Sequence, residues 1–410
     1  MKLEIVIPAL DEEQSIRSII ERCLTAREQI TAQTSVTEVS ITVTSDGSTD
    51  NTVPIAREYQ DRINLIVFEK NKGYGAAIMA GWAASDAELL SFLDADGTCD
   101  PLFFITLCNA LDQDSADIAL GCRINPQSQM PLTRRIGNFG FSTIMTLFSL
   151  SRIKDTASGM RVVRRSCLRK LMPLPTGLHF TPAMSSRAIL ARDLKIIERD
   201  MPYHEREGES KLKVVRDGMR FLNVIITNAL LHRPSRPLGI IATAAALLAF
   251  LMMLYPIWHY LNDGRVEEWM IYRFVASNLL AGSAILLWCA GYLGRKAVDI
   301  ALSDNPARDK HHGVIGWLMT SRWFWVIITL CFASAALLVG DAFIDYLTTG
   351  KVTEHWSRFI VMSFFIWTTI ILLITRTMDY CLSLLADRLH YIRHDENLFA
   401  LPVDSHAEKA

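Results

Sequence analysis

Over the first 125 residues, short apolar runs alternate with stretches of helical spacing. LEIVIPA (3–9) reads as a strand, and DEEQSIRSIIERCL then sets Ile16, Ile19, Ile20 and Leu24 on one helical face. VSITVTS (39–45) is a second strand, and SDGSTDNT after it is a turn cluster able to cap a helix starting near Asp50. INLIVFE (63–69), ELLSFLD (88–94) and DIALGC (117–122) continue the strands, with GYGAAIMAGWAA and PLFFITLCNAL as the helices between them. This alternation predicts an α/β unit with a mainly parallel sheet covered by helices on both faces. Ligands of such sheets bind beyond the carboxyl ends of the strands.

After residue 237 the pattern changes to long apolar blocks at about 238–260, 273–294, 323–345 and 358–385. Each is long enough to cross a bilayer, which takes roughly 20 helical residues. Ahead of them, residues 211–237 place Leu212, Val215, Met219, Leu222, Ile226 and Leu230 three or four apart, with Lys213, Arg216, Arg220, Asn223 and Thr227 opposite. A domain helix packed on its own core has the same pattern, but the adjoining span favours a helix lying in the membrane interface. The expected organisation is an α/β domain over 1–210, an amphipathic region over 211–237, four spans over 238–385 and a tail over 386–410.

Basic residues sort to alternate links: Arg233 and Arg236, then Arg295, Lys296, Arg308, Lys310 and Arg322, then Arg388 and Arg393. The other links, NDGRVEEW (262–269) and the stretch around Lys351 and Glu354, are acidic or sparse. That asymmetry expects the N-terminal domain and the C-terminus in the cytosol. MKLEIVIPALDEE has too short an apolar run for a signal peptide, in keeping with that expectation. Gly282, Gly291 and Gly294 would allow close helix approach within the bundle or between copies, so a homo-oligomer is open.

Composition narrows the partners. Half of the 410 residues are hydrophobic, and the formal net charge of -1 supplies no field for nucleic acid. The eight cysteines form no CxxC pair, and Cys108, Cys122, Cys289 and Cys331 fall within expected elements, which points to reduced, buried thiols.

Candidate chemistry collects where the strands end. Pro8, Leu10 and Glu12 follow the first strand, Asp46 and Gly47 the second, and Gly73 and Gly75 the third. In LLSFLDADGTCDP (89–101) the apolar run stops at Asp94, Ala95 and Asp96. Carboxylates at the end of a buried strand are costly unless something positive sits against them. At the mouth of a ligand cleft they suit Mg²⁺ or Mn²⁺, which is commonly held by one or two carboxylates plus substrate phosphates.

These stretches, taken in order, resemble the inverting family-two glycosyltransferases of GT-A fold, and among them the polyprenyl-phosphate (dolichyl-phosphate) hexosyltransferases. The matching residues are IPALDEE (7–13), SDGSTDNT (45–52), KNKGYGAAIMAG (70–81), LDADGTCDP (93–101), DTASGMRVVRR (155–165) and EREGESKL (205–212). The resemblance covers roughly residues 1–215. It implies a UDP- or GDP-hexose donor, its base and ribose held by the Pro8–Glu12 loop and Asp46, with Gly73, Gly75, Asp94, Ala95 and Asp96 along the rest. Asp94 and Asp96 would face the diphosphate and the metal. Relatives often carry Gln two residues after the second Asp as a further metal ligand; Thr98 stands there, so the Thr98 hydroxyl or a water would take that place.

The acceptor implied is a polyprenyl phosphate in the membrane. Its phosphate is largely ionised at neutral pH, with a second pKa near roughly 6, so positioning and charge compensation outweigh general-base catalysis. Cations expected at that phosphate are Arg123, Arg134, Arg135, Arg161 and Lys211, with Ser210 adding a hydroxyl. Asp155 is the further candidate catalytic residue, to orient the acceptor, bind the donor sugar, or act as base on a hydroxyl acceptor. His179 and His204 are given no chemistry.

Rival readings differ at named places. A processive synthase would carry a QxxRW-type segment; TSRW (320–323) falls after two spans. A nucleotidyltransferase would have a glycine-rich, lysine-containing segment where ALDEE stands. Transfer to a lipid hydroxyl, and a non-catalytic membrane scaffold with a transferase-like domain, are the remaining alternatives.

Overall fold

A computed structural model describes residues 1–126, 128–149, 151–191, 194–204, 213–302, 313–352 and 354–394. The chain divides into two compact units, Met1–His232 and Arg233–Ala410.

The first unit is built on a seven-stranded sheet. In chain order its elements are β1 (Lys2–Ala9), α1 (Ile16–Gln33), β2 (Glu38–Ser45), α2 (Thr52–Arg57), β3 (Asn64–Val67), α3 (Tyr74–Ala83), β4 (Leu89–Leu93) and α4 (Phe103–Gln113). Then follow β5 (Ile118–Cys122), α5 (Leu132–Ser149), β6 (Met160–Arg164), α6 (Leu168–Leu171), α7 (Phe180–Leu190), β7 (Ile196–Asp200) and α8 (Val214–His232). The strand order is β3-β2-β1-β4-β6-β5-β7, and only β6 runs antiparallel to its neighbours. The five strands read from the sequence are present within a residue or two of their expected bounds; β6 and β7 are additions.

Alternation along β1 feeds both faces. Leu3, Ile5 and Ile7 join α1 and α4 in one core, while Val6 joins Leu90, Phe92, Trp82 of α3 and Phe180 of α7 in the other. Trp82 donates its indole N–H to the Ser91 carbonyl at 3.0 Å, so the largest ring of that second core leaves no polar atom unpaired. The order reverses between β1 and β4, which opens a crevice at the carboxyl edge of the parallel strands.

Helix α8 belongs to this unit, so the compact unit closes later than residue 210. Phe221, Ile225 and Ala229 are buried, and Asn228 bonds Ser186 and Arg187 of α7. The stripe picked out by helical spacing nevertheless faces outward: Val215 is 81% exposed, Met219 62%, and Ile226 and Leu230 are also exposed. One face of the helix thus packs on the domain core, and the other leaves an apolar stripe exposed.

The second unit consists of α9 (Ser235–Asp263), α10 (Ile271–Leu302), α11 (Gly313–Thr320), α12 (Trp323–Thr349) and α13 (Trp356–His394). Four of its helical stretches, Ser235–Asp263, Glu268–Leu302, Trp323–Thr349 and Trp356–His390, are long and apolar enough to cross a membrane. Their outward side chains are Leu, Ile, Phe and Trp, as a surface facing hydrocarbon requires. Cys289, Tyr292, Met319, Phe324 and Leu372 pack inside. On α10 and α13, Lys296 pairs with Asp379, which also accepts the Tyr292 hydroxyl at 2.6 Å.

Candidate active site

A cavity of about 530 Å³ opens at the carboxyl edge of the sheet. Pro8, Leu10, Glu12, Asp46, Gly73, Asp94, Ala95, Asp96, Arg123 and Arg134 all line it, so residues scattered from position 8 to position 134 meet in one space. The loop after β1 is laced to the loop after β2: Glu13 N–H donates to Asp50 (3.0 Å), Thr49 N–H to Asp11 (2.7 Å), and Glu12 N–H to the Thr52 hydroxyl (2.8 Å). Asp46 accepts the backbone N–H groups of Lys72 (2.7 Å) and Gly73 (2.9 Å), which draws the β3–α3 loop to the same edge. Burial pushes its carboxyl up, against the two amides that hold it ionised. Gly73 takes φ +107°, and a Cβ there would lie 2.4 Å from the Thr176 carbonyl oxygen.

Gly75 is a correction. It lies outside the cavity lining, and a Cβ on it would meet the Pro175 carbonyl oxygen at 2.3 Å. Its smallness lets α3 pack against the 175–180 segment.

The two aspartates are held differently. Asp94 Oδ1 accepts the Tyr74 hydroxyl at 2.6 Å, and Oδ2 lies so close to Gly159 that a Cβ there would sit 1.9 Å away. Burial, and then the Asp94 charge, push the Tyr74 hydroxyl well above its usual range, so it stays a donor. Asp96 Oδ1 accepts from the Thr98 hydroxyl (2.6 Å) and the Thr98 N–H (3.2 Å). Thr98 is fully buried and does not reach the cavity, which corrects its expected part as a metal ligand: it orients Asp96 from beneath. Among the described residues no three His, Cys, Asp or Glu side chains group together. Asp94 and Asp96, one residue apart at the end of β4, both present carboxylate oxygens to the cavity, which fits a Mg²⁺ or Mn²⁺ whose other ligands come from a diphosphate.

Asp155 is the largest correction. It is fully buried, absent from the cavity lining, and occupied on both oxygens. Arg123 binds it through Nε (2.7 Å), Nη2 (2.9 Å) and its own backbone N–H (2.9 Å), and Asn138 Nδ2 adds a fourth donor at 3.1 Å. Burial alone would raise the Asp155 carboxyl, but the Arg123 guanidinium and these N–H donors keep it below the usual carboxylate range. A carboxylate so saturated is a weak proton acceptor. It aims Arg123, whose guanidinium also lies over the Tyr203 ring at 5.5 Å.

Glu198 of β7 fixes this arrangement from behind, accepting the N–H groups of Lys154 and Asp155 at 2.9 Å each. Arg161 is likewise moved by the structure from ligand contact to support. It is fully buried, its guanidinium bonds the Ser158 and Thr156 carbonyls at 3.1 Å each, and burial lowers its pKa to about 10. Arg135 lines a separate groove and not this cavity. Ser210 and Lys211 lie outside the described residues.

Met130, Phe141, Leu178 and Phe221 add apolar side chains to the cavity wall, with the Phe141 and Phe221 rings edge-on at 5.8 Å across α5 and α8. Tyr74, Asn138, Tyr203 and this aromatic wall were missed in the sequence; only Tyr74, between two glycines of a motif, carried a signal.

The family model for glycosyl transferase family 2 matches residues 4–172. The low-salt glycan biosynthesis hexosyltransferase Agl6 of Haloferax volcanii is 33% identical over 256 residues, 60% of this chain and 59% of that one. The dolichyl-phosphate hexose transferase of the same organism is 31% identical over 219 residues, 51% of this chain and 86% of that one. Among solved structures, glucosyl-3-phosphoglycerate synthase from Mycobacterium tuberculosis aligns with a TM-score of 0.44 at 18% identity, over 56% of this chain and 78% of that one. The chain thus spans less than two thirds of the first relative and most of the second. It belongs to glycosyl transferase family 2.

Proposed function

We propose that the protein transfers a hexose from a nucleotide-diphosphate sugar to a polyprenyl phosphate, with inversion, at the cytosolic face of the membrane. One observation carries this reading: a single cavity is lined by the carboxylates of Asp94 and Asp96, by the guanidinium of Arg123 and by the apolar side chains of Met130, Phe141, Leu178 and Phe221. The carboxylates suit a metal-bound diphosphate. The guanidinium and the apolar side chains suit a phosphate with a hydrocarbon tail.

The loops at Pro8–Glu12 and Asp46 would take the nucleoside, and Asp94 and Asp96 would hold Mg²⁺ or Mn²⁺ against the diphosphate. That ion would offset charge on the departing nucleotide. Arg123, and Arg134 beside it, would hold the acceptor phosphate, one of whose oxygens attacks the anomeric carbon from the face opposite the diphosphate. Because that oxygen is already ionised, no base is needed, in keeping with an Asp155 wholly committed to Arg123. A hydroxyl acceptor would need a proton sink, for which Asp155 is poorly suited.

The exposed stripe of α8 and a second on α5, Leu132, Ile136, Phe139 and Leu147, support a catalytic unit that touches the bilayer from which the acceptor comes. The names of the two Haloferax relatives agree with a hexose donor, and one with a dolichyl-phosphate acceptor.

The test is transfer of radiolabelled sugar from a panel of UDP- and GDP-hexoses by the purified full chain, with polyprenyl phosphate and Mn²⁺ or Mg²⁺. Label is expected in an acid-labile lipid, with loss of about 100-fold or more in Asp96→Ala. Label in an acid-stable lipid would replace the phosphate acceptor with a hydroxyl, and no transfer from any donor would remove the reading.

A further inference from the structure

Helix α5 presents a second groove on the face opposite the substrate cavity. Thr133, Arg134, Gly137, Asn138 and Phe141 line the cavity, whereas Leu132, Arg135, Ile136, Phe139 and Ser142 line the groove. Ile124, with Arg152 and Lys154 from the segment after α5, completes it, and no carboxylate is among its described lining residues. Arg135 reaches the Asn125 carbonyl at 3.4 Å through Nη2, yet its Nε is buried without a hydrogen-bond partner. Two described acids of the adjoining segments are otherwise engaged: Asp155 with Arg123, and Glu198 with the backbone of 154 and 155.

Along the rim of these three cations runs an apolar edge. Leu132 is 69% exposed, Ile136 63% and Phe139 69%. Large apolar side chains left in water one helical turn from unpaired cations are a poor match for a soluble anion, which would use the charge alone. They fit a molecule that is anionic at its head and apolar beside it. Arg and Lys stems cross such a boundary readily, with the charge at headgroup level and the methylenes along hydrocarbon.

We propose that this groove binds the phosphate headgroup of an anionic membrane phospholipid, at a site separate from the sugar acceptor. Arg135, with an N–H already desolvated, would hold the phosphate from within, and Arg152 and Lys154 would close over it from the rim. Leu132, Ile136 and Phe139 would enter the acyl region beside it. The site goes beyond the proposed transfer reaction and stands without it, because its ligand is neither donor nor acceptor.

The experiment uses the full chain in nanodiscs carrying a photo-crosslinkable phosphatidylglycerol, with labelled peptides identified by mass spectrometry. Labelling is expected within 132–154, competed by unlabelled phosphatidylglycerol and not by phosphatidylcholine. Arg152→Gln with Lys154→Gln should cut it by about tenfold or more, while Arg152→Lys with Lys154→Arg retains it. Unchanged far-ultraviolet dichroism and unchanged sugar transfer in detergent would show that the glutamine variant is folded. Equal labelling by a phosphatidylcholine probe, or no loss in the glutamine variant, would overturn the proposal. Competition by millimolar inorganic phosphate as effective as that by the lipid would make it a free-anion site, and cross-links between two copies at Phe139 would make it a subunit interface; either result also overturns it.

Discussion

Two buried ion pairs, one in each unit, use similar charges to different ends. In the catalytic unit, Asp155 is fully buried and accepts a two-pronged grip from Arg123. In the membrane-spanning unit, Asp379 takes the Lys296 ammonium and the Tyr292 hydroxyl, and Lys296 adds Ser383 at 2.7 Å. A guanidinium is planar, so a bidentate carboxylate sets its direction as well as its place. An ammonium is a point charge that can be met from several sides, so its pair fixes two helices without aiming anything. The first pair orients a group that lines a cavity; the second ties α10 to α13.

If that contrast is right, the two pairs fail differently. Asp155→Asn should cost sugar transfer about 100-fold or more, because one oxygen of the fork becomes a donor and Arg123 loses its direction. Removing one partner of a buried pair also costs roughly 3–5 kcal/mol, so transfer is measured per folded molecule. Lys296→Met should lower the melting temperature in detergent by a comparable free energy and leave turnover per folded molecule within about twofold. Lys296→Asp combined with Asp379→Lys should recover most of the melting temperature, which the equivalent exchange of Arg123 and Asp155 should not do for transfer. Equal loss of turnover from both single variants would erase the distinction.

A smaller effect sharpens it further. Tyr74→Phe deletes only the hydroxyl on Asp94 and should raise the Mn²⁺ concentration for half-maximal nucleotide binding by about tenfold or more, the value of one hydrogen bond to a charged group. Titration calorimetry with the nucleoside diphosphate, with and without Mn²⁺, reads this separately from turnover. Weaker binding in the absence of metal as well would mean that Tyr74 supports the cavity in general and not Asp94 in particular.

Much of the architecture was legible because its signals are local. A run such as LEIVIPA or ELLSFLD declares a strand by itself, and four long apolar blocks declare spans. The donor side of the cavity was legible for the same reason: Asp46, Asp94 and Asp96 each end a strand whose direction the βα alternation sets. What escaped depends on partners far away in sequence. MRVVR of β6 reads as the tail of a motif, and its antiparallel place between β4 and β5 follows only from pairing with residues 89–93 and 118–120. IIERD of β7 is half polar and lies at the sheet edge. Helix α5 hides behind PLTRRIGN, whose arginines drew attention as ligands while two glycines masked its periodicity. Asp155 and Arg161 look like exposed site charges until the sheet closes over them.

The antiparallel strand has a consequence for assembly. β6 sits between β4 and β5, which have no register with each other. Until residues 160–164 are in place, each of those strands presents an unpaired edge toward its future neighbour, and the sheet exists only as two fragments. The loop that precedes β6 carries Asp155, the anchor of Arg123, and Gly159, the backing of Asp94. A nascent chain halted short of Met160 would own every aspartate of the donor side and still have no cavity. The same five residues that join the halves of the sheet bring both parts of the substrate site into being at once.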